Sequence, residues 1–504
     1  MDTRIAKCNK PSIQSPVADF FDEKCVFVTG ATGFLGKFLV EKLLHSTKVD
    51  TIYVLLRTKK GTSPDERCEQ FKADPLLKFR LSKEQLDRIQ AIPGDISEPG
   101  LGINEEHRSL LKSKVQVIFH SAASVRFDDP MPQAVKMNVV ATLEVLKLAT
   151  ECSRVDSLVH VSTAFVNCHL GKLDESPVNC PYDPMEVLKN PHCVQKLDPY
   201  PNTYTLTKSL AEKLVQQYAS NSNLPIAIAR PSIVVSSHKE PVPGYCDSFT
   251  QAAAALVSIR ASGLLRAIPA DGEKNMPILP VDLCVNGLII VAAQCHNDFT
   301  VDKSSGRIFT LANSTENQVT FACAFNDQKS QDLVVEFPLK FAVRRPNNFI
   351  FCPSPTLFQF QSVALDWIFA LFCDLLFLLA FKQPTITRVV RRALGQMHAF
   401  RFFMTRSYFV ANGNLQRVWS SLSRSDQVIF SFDCEGINWE KFGEHYWSGL
   451  RKYAFKQKED EDEVVRRHLR KVTLISRIVE SFILILIPAL ITFVIKGSLW
   501  LIFH

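Results

Sequence analysis

Short apolar runs alternate with longer amphipathic stretches over the first two thirds of the chain. The runs are rich in β-branched and aromatic residues, and polar or glycine-containing turns bound them. Such runs are typical of buried parallel strands, and the stretches between them have the apolar spacing of helices. The predicted strands are Cys25–Thr29, Thr51–Leu56, Ile89–Ile92, Val115–Phe119, Leu158–Ser162 and Ile226–Ala229. The pattern predicts an α/β fold with a Rossmann-type, doubly wound parallel sheet.

A glycine-rich turn follows the first predicted strand and opens a helix. Its glycines are spaced GxxGxxG, and apolar residues recur at helical spacing after them. A strand, a glycine turn and a helix start together form a pyrophosphate site, because the amides at the helix start attract phosphate. A glycine-rich loop without function is the alternative. The residues predicted to bind a dinucleotide here are Gly30, Thr32, Gly33, Phe34, Leu35 and Gly36.

The end of the second predicted strand indicates which dinucleotide binds. Arg57 begins a basic turn there, Arg-Thr-Lys-Lys, and no acidic residue occurs before Asp65. An acidic residue near this position binds the ribose 2′-hydroxyl of NAD, whereas an arginine accommodates the 2′-phosphate of NADP. The turn therefore favours NADPH over NADH, with Arg57 as the expected phosphate ligand. A solvated basic turn is the alternative.

Two more strand ends supply candidate cofactor contacts. Asp95 and Ile96 follow the third predicted strand, where Asp95 is placed to accept a hydrogen bond from the adenine amine. An ordinary turn aspartate fits the composition equally well. Ala122 and Ala123 follow the fourth predicted strand, and such small residues let a nucleotide lie against the backbone. These four residues complete the predicted cofactor site.

A tyrosine and a lysine four residues apart are the candidate catalytic pair. Tyr204 and Lys208 form a YxxxK pattern, and residues four apart share one helix face. A neighbouring ammonium stabilises phenolate and lowers the tyrosine pKa, which general acid catalysis near neutral pH needs. Thr163, at the end of the fifth strand, can hold a substrate carbonyl by hydrogen bond. A YxxxK pattern by itself often occurs by chance. This one follows a glycine motif and a strand that ends in Ser-Thr, and that combination is hard to obtain by chance.

Three features near this pair have open interpretations. Asn138 fits a helix-capping or core role at least as well as a catalytic one. The stretch 168–202 between Thr163 and Tyr204 is long enough to close over a substrate or to be a passive surface loop. Arg126 and Asp128 flank the expected mouth, where a surface salt bridge is the favoured interpretation.

Composition narrows the classes of function. The 504 residues carry a net charge of +7, and no RNA- or DNA-binding motif occurs, so no nucleic-acid partner is expected. The 14 cysteines are irregularly spaced with no CxxC pair, which indicates neither a metal site nor a disulfide framework. The first residues lack the apolar core of a secretory signal peptide. We therefore expect a reduced catalytic body that faces the cytosol.

Two apolar stretches occur in the last third of the chain. Val363–Phe381 has the length of a membrane span but contains Asp366 and Asp374, which are costly at a bilayer centre. A buried or membrane-apposed helix is therefore favoured over a span. Ile478–Phe503 follows a basic segment and has no acidic residue after Glu480. It is predicted to be a transmembrane tail anchor that leaves the enzyme in the cytosol, with a core helix as the alternative.

Several motifs together resemble one family. In order these are TGATGFLG, HSAASVRFDD, VHVSTAFVNC, YTLTK, RPSIV, ILPVDLCVN and, near the end, FSFDCEGINWEKFGEHYWSGLRKY. This order is similar to that of fatty acyl-CoA reductases, which are extended short-chain dehydrogenase/reductases with a helical domain related to plant male-sterility proteins. The resemblance spans about residues 20 to 455. It implies an N-terminal extension at 1–20, an NADPH-binding domain at 21–350, a helical domain at 351–458, a charged linker at 459–477 and the tail at 478–503.

The resemblance also implies a reaction and its site residues. Long-chain fatty acyl-CoA is reduced by NADPH to a bound aldehyde and then to a primary alcohol, for ether-lipid or wax synthesis. Tyr204 is the expected proton donor, Thr163 orients the carbonyl, and Lys208 holds the nicotinamide ribose and supports the phenolate. The expected setting is the peroxisomal membrane, with the endoplasmic reticulum as second choice, and a homodimer is possible.

Three alternatives to this function stay open. The reductase could stop at the aldehyde, which the sequence does not decide. A sterol or sugar-nucleotide dehydrogenase or epimerase would fit the nucleotide half, but such enzymes usually prefer NAD and lack the helical C-terminal motif. A membrane-tethered scaffold without activity would not need Thr163, Tyr204 and Lys208.

Overall fold

The computed structural model describes residues 14–249, 251–301, 307–313 and 317–503. Its centre is a sheet of seven strands, all parallel, in the order β12-β7-β5-β4-β1-β2-β3. The strands are β1 Cys25–Thr29, β2 Thr51–Leu56, β3 Ile89–Pro93, β4 Val115–His120, β5 Ser157–Val161, β6 Lys172–Leu173, β7 Ile226–Pro231, β8 Ile233–Val235, β9 Ala267–Ile268, β10 Asn275–Met276, β11 Ile278–Pro280, β12 Arg307–Leu311, β13 Val319–Thr320, β14 Ile350–Phe351 and β15 Phe409–Val410.

Helices cover both faces of the sheet, and a second group of helices follows it. Those of the first part are α1 Pro16–Phe20, α2 Phe34–Ser46, α3 Pro64–Lys72, α4 Pro75–Lys78, α5 Lys83–Asp87, α6 Glu105–Lys114, α7 Met131–Val135, α8 Ala141–Glu151, α9 Pro184–Lys189, α10 Thr203–Asn221, α11 Ala252–Ser262, α12 Val281–Val301, α13 Phe321–Asn326 and α14 Gln328–Glu336. Those of the second are α15 Pro355–Ser362, α16 Ile368–Leu379, α17 Ile386–Met404, α18 Gly413–Ser421, α19 Arg424–Ile429, α20 Trp439–Gly449 and α21 Asp462–Phe503.

The parallel, doubly wound sheet predicted from the apolar runs is confirmed. In register, Val28 of β1 lies between Val54 of β2 and Phe119 of β4, and all three side chains are fully buried. Strands covered by helices on both faces need apolar side chains at every position, which is why these strands read as unbroken apolar runs. The predicted bounds of β1 and β2 agree with the observed ones, and those of the other four predicted strands differ by one or two residues, as at Ser157–Val161 and Ile226–Pro231. The seventh strand of the sheet, β12, was not predicted.

The stretch 168–202 is neither a free lid nor a passive loop. Its strand β6 pairs in parallel with β15 of the second part, with Leu173 opposite Val410. Glu175 then accepts hydrogen bonds from the amides of Thr310 and Asn414. The stretch therefore joins the two parts of the protein, a contact between distant residues that the sequence pattern could not show.

Both chain ends are attached to the body within the described residues. The Ser15 hydroxyl donates a 2.5 Å hydrogen bond to buried Asp426, so the end of the predicted extension belongs to the folded body. The stretch predicted to be a charged linker is helical from Asp462 onward, and it buries Val465 and Leu469 against the body. Residues 1–13 of the predicted extension lie outside the described residues, as do the tail side chains at 483–484 and 486–504.

One helical stretch in the described residues, Pro355–Leu379, is long and apolar enough by length and composition to cross a membrane. It includes α15, a π-helical turn at Val363–Trp367 and α16. Both of its aspartates are buried and bound within the protein. Asp366 pairs with Arg344, and Asp374 accepts hydrogen bonds from the first residues of α17.

Candidate active site

The glycine turn after β1 is shaped by two close backbone approaches. Gly30 has a φ of +78°, and a Cβ there would lie 2.8 Å from the Ala122 amide nitrogen. A Cβ on Gly36 would lie 2.8 Å from the Ala31 Cα, so α2 packs directly on the turn. Any larger side chain at either glycine would force these backbones apart. The first and third glycines therefore hold the turn closed beneath the start of α2.

The start of α2 is open to a ligand. Gly33 is its N-cap residue, and no side chain of the described residues caps it. Thr32 and Gly33 are exposed, and Phe34 and Leu35 are half-buried. Uncapped amides at a helix start carry partial positive charge and bind phosphate. The residues present therefore fit a dinucleotide pyrophosphate at the place where the sequence predicts one.

Two arginines lie together beyond the carboxyl end of β2. Arg57 is about half exposed and donates a 3.2 Å hydrogen bond to Asp95. Arg67 of α3 donates to the Arg57 main-chain carbonyl at 2.5 Å. Burial, followed by the repulsion of the Arg57 charge, lowers the pKa of Arg67. Sequence reasoning missed Arg67, although its place in a helix after the basic turn was a usable signal.

The predicted adenine contacts lie at the end of β3. Burial acts to raise the pKa of Asp95, but hydrogen bonds from Ser97 and the Arg57 charge bring it below the ordinary value. Asp95 is therefore a charged acceptor in the site. Ile96 beside it is half-buried, as are Ala122 and Ala123 after β4.

The loop after β4 is held by buried polar contacts. The Ala122 amide donates to the Thr29 hydroxyl at 3.2 Å. The Asn138 side chain accepts from the Ser124 amide at 2.8 Å and donates to the Thr207 hydroxyl at 2.9 Å. Asn138 lies in a π-helical turn between α7 and α8, and π turns are frequent at functional sites. It contacts α10 but is not in hydrogen-bond contact with Tyr204, so its observed role is to position the loop and the helix.

Tyr204 and Lys208 lie on the first two turns of α10. Asn202 caps this helix by accepting a 2.9 Å hydrogen bond from the Thr205 amide, which fixes where the helix begins. The Lys208 ammonium donates to the Val161 carbonyl at the end of β5, at 2.8 Å. Thr163, two residues after Val161, lies near the Tyr204 phenol and acts to lower the pKa of that phenol. The structure thus brings together the three residues that the sequence predicts to be catalytic.

Burial dominates the protonation of this group. It raises the pKa of Tyr204 to about 12, against a smaller opposite effect of the Thr163 side chain. It lowers the pKa of Lys208 to about 8, although the Glu212 carboxylate one turn further along α10 acts to raise it. Tyr204 therefore carries its proton at neutral pH, as a general acid must. The expectation from the sequence that Lys208 lowers the pKa of Tyr204 is wrong, because burial dominates and raises that pKa above its ordinary value. Lys208 is protonated at neutral pH and loses its positive charge near its pKa of about 8.

Tyr204 also forms one wall of an apolar cavity. Phe127 stacks on the phenol ring with centroids 5.8 Å apart. Phe403 of α17 then contacts both Phe127 and Phe165, at 5.5 and 5.3 Å. The remaining lining comes from α11, the β10–β11 segment, Thr205, Ile233, Phe321, Phe400, Met404 and Tyr408. The cavity therefore lies between the sheet domain and the C-terminal helices, with the predicted proton donor at its surface.

The aromatic lining was not predicted. Phe127 lies within the resemblance motif HSAASVRFDD, and Phe400 and Phe403 are three residues apart, on one helix face. The spacing indicates an apolar face on α17, but only the fold shows that this face meets Tyr204. Arg126 and Asp128, beside Phe127, form the expected exposed salt bridge at 3.2 Å.

Comparisons with known proteins agree with these features. Two family models, both described as male sterility protein, match residues 28–288, the NAD-binding part, and residues 365–457. Fatty acyl-CoA reductase wat of Drosophila melanogaster is 33% identical over 458 residues, which cover 88% of this chain and 86% of the relative. The chain belongs to the fatty acyl-CoA reductase family. Fatty acyl-CoA reductase 2 of Mus musculus is 32% identical over 475 residues, which cover 91% of this chain and 90% of the relative.

Solved structures share the fold of this fatty acyl-CoA reductase family member. The terminal R domain of the myxalamid PKS-NRPS pathway has a TM-score of 0.59 at 20% identity, covering 87% of this chain and 93% of that domain. The reductase domain of a Mycobacterium tuberculosis nonribosomal peptide synthetase has a TM-score of 0.55 at 18% identity, covering 86% and 95%. At these identities the likeness shows the fold alone.

Proposed function

We propose that this protein reduces long-chain fatty acyl-CoA to a primary alcohol and free CoA with NADPH, by way of a bound aldehyde. The observation that carries the proposal is the apolar cavity with Tyr204 in its wall. A fatty acyl chain needs an apolar enclosure, and its thioester carbonyl needs a proton donor where that enclosure ends. The curated relatives bear the name fatty acyl-CoA reductase, which agrees with this substrate.

The chain's own residues would act on the carbonyl oxygen. Tyr204 donates its proton to that oxygen as the carbonyl carbon is reduced, and the Thr163 hydroxyl orients the oxygen toward the phenol. Lys208, held against β5, supplies the positive charge that stabilises the resulting phenolate. The hemithioacetal hydroxyl then returns its proton to the Tyr204 phenolate as the carbonyl re-forms and the carbon–sulfur bond breaks. The departing sulfur takes a proton from solvent and leaves as the CoA thiol. The aldehyde that remains is reduced in the same way to the alcohol.

The cofactor would be bound at the ends of the four strands β1, β2, β3 and β4. A reduced nicotinamide, when bound, supplies the hydride for each of the two reductions. The uncapped start of α2 would hold the pyrophosphate, and Gly30 and Gly36 leave the necessary space. Arg57 supports the choice of NADPH, because a guanidinium pairs with a 2′-phosphate in a bidentate manner.

The proposal includes a membrane setting. Ile478–Phe503 is proposed to anchor the enzyme by its C-terminus, with the catalytic part in the cytosol. The peroxisomal membrane is the proposed location and the endoplasmic reticulum the second choice, where the alcohol would enter ether-lipid or wax synthesis. A homodimer stays a prediction.

Product analysis tests the proposal. The full chain is purified in detergent and incubated with NADPH and acyl-CoAs of several chain lengths, and the products and consumed NADPH are quantified. We expect fatty alcohol, with about two NADPH consumed per molecule because each reduction uses one hydride. Aldehyde with one NADPH per molecule would contradict alcohol formation. Absence of any acyl-CoA-dependent NADPH oxidation would contradict the proposed substrate class.

A further inference from the structure

The hairpin formed by α16 and α17 exposes an unusual amount of apolar surface. The ring of Phe381, at the turn between the two helices, is 100% exposed, and Leu379 before it is 70% exposed. Other exposed apolar residues of this hairpin, of α15 and of the π-helical turn between them are Leu357, Phe360, Val363, Leu371, Leu375, Leu376, Leu378 and Val389. A contiguous exposed apolar surface of this kind marks a site of association with another apolar phase.

The hairpin does not have the contacts of a transmembrane span. Asp374 accepts hydrogen bonds from the amides of Thr385, Ile386 and Thr387, at 2.9 Å each, and so caps the start of α17. This cap turns the chain back directly after α16. Further back, buried Asp366 pairs with buried Arg344 and accepts from the Arg266 amide. The base of the hairpin is therefore fixed to the folded body, and only its tip projects.

Positive charge lies next to the projecting tip. Lys382 follows Phe381, and the first three turns of α17 carry Arg388, Arg391 and Arg392, all of them exposed. No acidic residue occurs between positions 375 and 423, so this stretch of the sequence carries no negative charge that would neutralise the basic residues. An apolar tip with a basic flank matches a bilayer leaflet that contains anionic phospholipid. The apolar side chains can enter the hydrocarbon while the basic side chains reach the negatively charged headgroups.

The apolar surface continues onto α21. Phe372 of α16 contacts Phe482 of α21, with ring centroids 5.5 Å apart. At the base, Glu480 of α21 pairs with Arg266 at 3.3 Å. Among the described side chains of α21, those from 470 onward that are apolar and exposed are Leu474, Ile475, Ile478, Phe482 and Ile485. The helix that leads into the apolar C-terminal sequence therefore lies beside the hairpin, and both present apolar side chains to the outside.

We propose that the α16–α17 hairpin is a monotopic membrane-insertion element. Its tip, Leu375–Phe381, enters the hydrocarbon of one leaflet, and Arg388 and Arg392 bind the anionic headgroups above it. The occupant of this surface is thus a phospholipid leaflet and not a second protein. This docking is separate from the tail anchor, and it is independent of the reductase activity. Together with the proposed function it gives α17 a second role, since the helix runs from the leaflet to the cavity that Phe400 and Phe403 line.

Photo-crosslinking from two phenylalanine positions tests the proposal in the full chain. p-Benzoylphenylalanine replaces Phe381 or, as a matched control, Phe79, which is 61% exposed in the sheet domain. The proteins are reconstituted in phosphatidylcholine vesicles with one fifth phosphatidylserine, irradiated, and analysed for lipid and protein adducts. We expect several-fold more lipid adduct at position 381 than at position 79, because only the former would lie in hydrocarbon.

The outcomes separate the alternatives. Equal lipid adduct at positions 381 and 79 would overturn the proposal and leave the tail as the sole membrane contact. Adducts between two copies of the chain at position 381 would overturn it in favour of a protein interface. The double variant Arg388→Glu, Arg392→Glu should reduce the lipid adduct at 381 in the anionic vesicles and have a smaller effect in pure phosphatidylcholine. An unchanged adduct would refute the role of the basic residues. Because no readout is enzymatic, these results do not depend on acyl-CoA reduction.

Discussion

The Lys208 ammonium is bonded to the Val161 carbonyl at 2.8 Å, which ties the second turn of α10 to the last residue of β5. Thr163 follows Val161 by two residues, and Tyr204 precedes Lys208 by one helical turn. This buried hydrogen bond therefore joins the two elements that carry the candidate catalytic residues.

Removing the Tyr204 hydroxyl should slow the reaction strongly while NADPH still binds. Tyr204→Phe removes the proton donor but keeps the ring that stacks on Phe127. We expect kcat to fall by roughly 10²–10⁴, the usual contribution of a positioned general acid. NADPH affinity, measured by fluorescence titration, should change little. Tyr182→Phe is the control, since it removes a phenol hydroxyl bonded only to the Lys196 carbonyl outside the cavity. Loss of NADPH binding in Tyr204→Phe would contradict the assigned role.

Activity should decline on the alkaline side as Lys208 loses its proton. Its pKa lies at about 8 because burial disfavours the ammonium, whereas Tyr204 at about 12 remains protonated. As pH rises through 8, the charge that supports the phenolate disappears, so kcat/KM should fall. The profile of kcat/KM between pH 6 and 10 measures this, because it reports groups of the free enzyme. NADPH affinity over the same range separates loss of catalysis from loss of cofactor, and a flat profile would refute the assignment.

Arg67 should contribute to the selectivity for a phosphorylated cofactor. It lies against the Arg57 carbonyl, so its positive charge adds to that of Arg57 beyond β2. We expect Arg67→Gln to raise the KM for NADPH about tenfold, the loss of one charge-assisted hydrogen bond, with little change in the KM for NADH. Arg88→Gln is the matched control, because Arg88 also donates to a main-chain carbonyl but precedes β3 at the opposite end. Equal changes for both cofactors would argue against a phosphate contact.

A glycine of α20 should be essential for docking the C-terminal helices. A Cβ on Gly449 would lie 2.5 Å from the Gly244 carbonyl carbon, whereas a Cβ on Gly443 of the same helix meets nothing within 4 Å. Gly449→Ala must displace backbone, and we expect a loss of about 1–3 kcal/mol or more in unfolding free energy. Gly443→Ala should instead be neutral or stabilising, by up to about 1 kcal/mol. Unfolding midpoints in the same detergent measure both, and equal midpoints would contradict the close approach.

Local physical rules made much of this protein predictable from its sequence. The strands buried on both faces require continuous apolar runs, so six of the seven parallel strands could be read from the pattern, whereas β12 was not predicted. Gly30 and Gly36 are needed because two backbones approach closely at each, and no other residue leaves that space. The YxxxK spacing places Tyr204 and Lys208 on one helix face whatever the rest of the fold. The motifs in order were specific enough to indicate the family, which the comparisons confirm.

Only the tertiary structure decided what depends on residues far apart in the chain. The cavity at Tyr204 exists because Phe403, about two hundred residues later, packs on Phe127. Arg67 reaches the basic turn because α3 folds back against β2. In the sequence, Asp366 and Asp374 are charged residues that would be unfavourable in a membrane span. In the structure, Asp366 pairs with Arg344 and Asp374 caps α17. Sequence pattern reports which side chains a local element can bury, whereas the partner that a polar group finds is set by packing between distant elements.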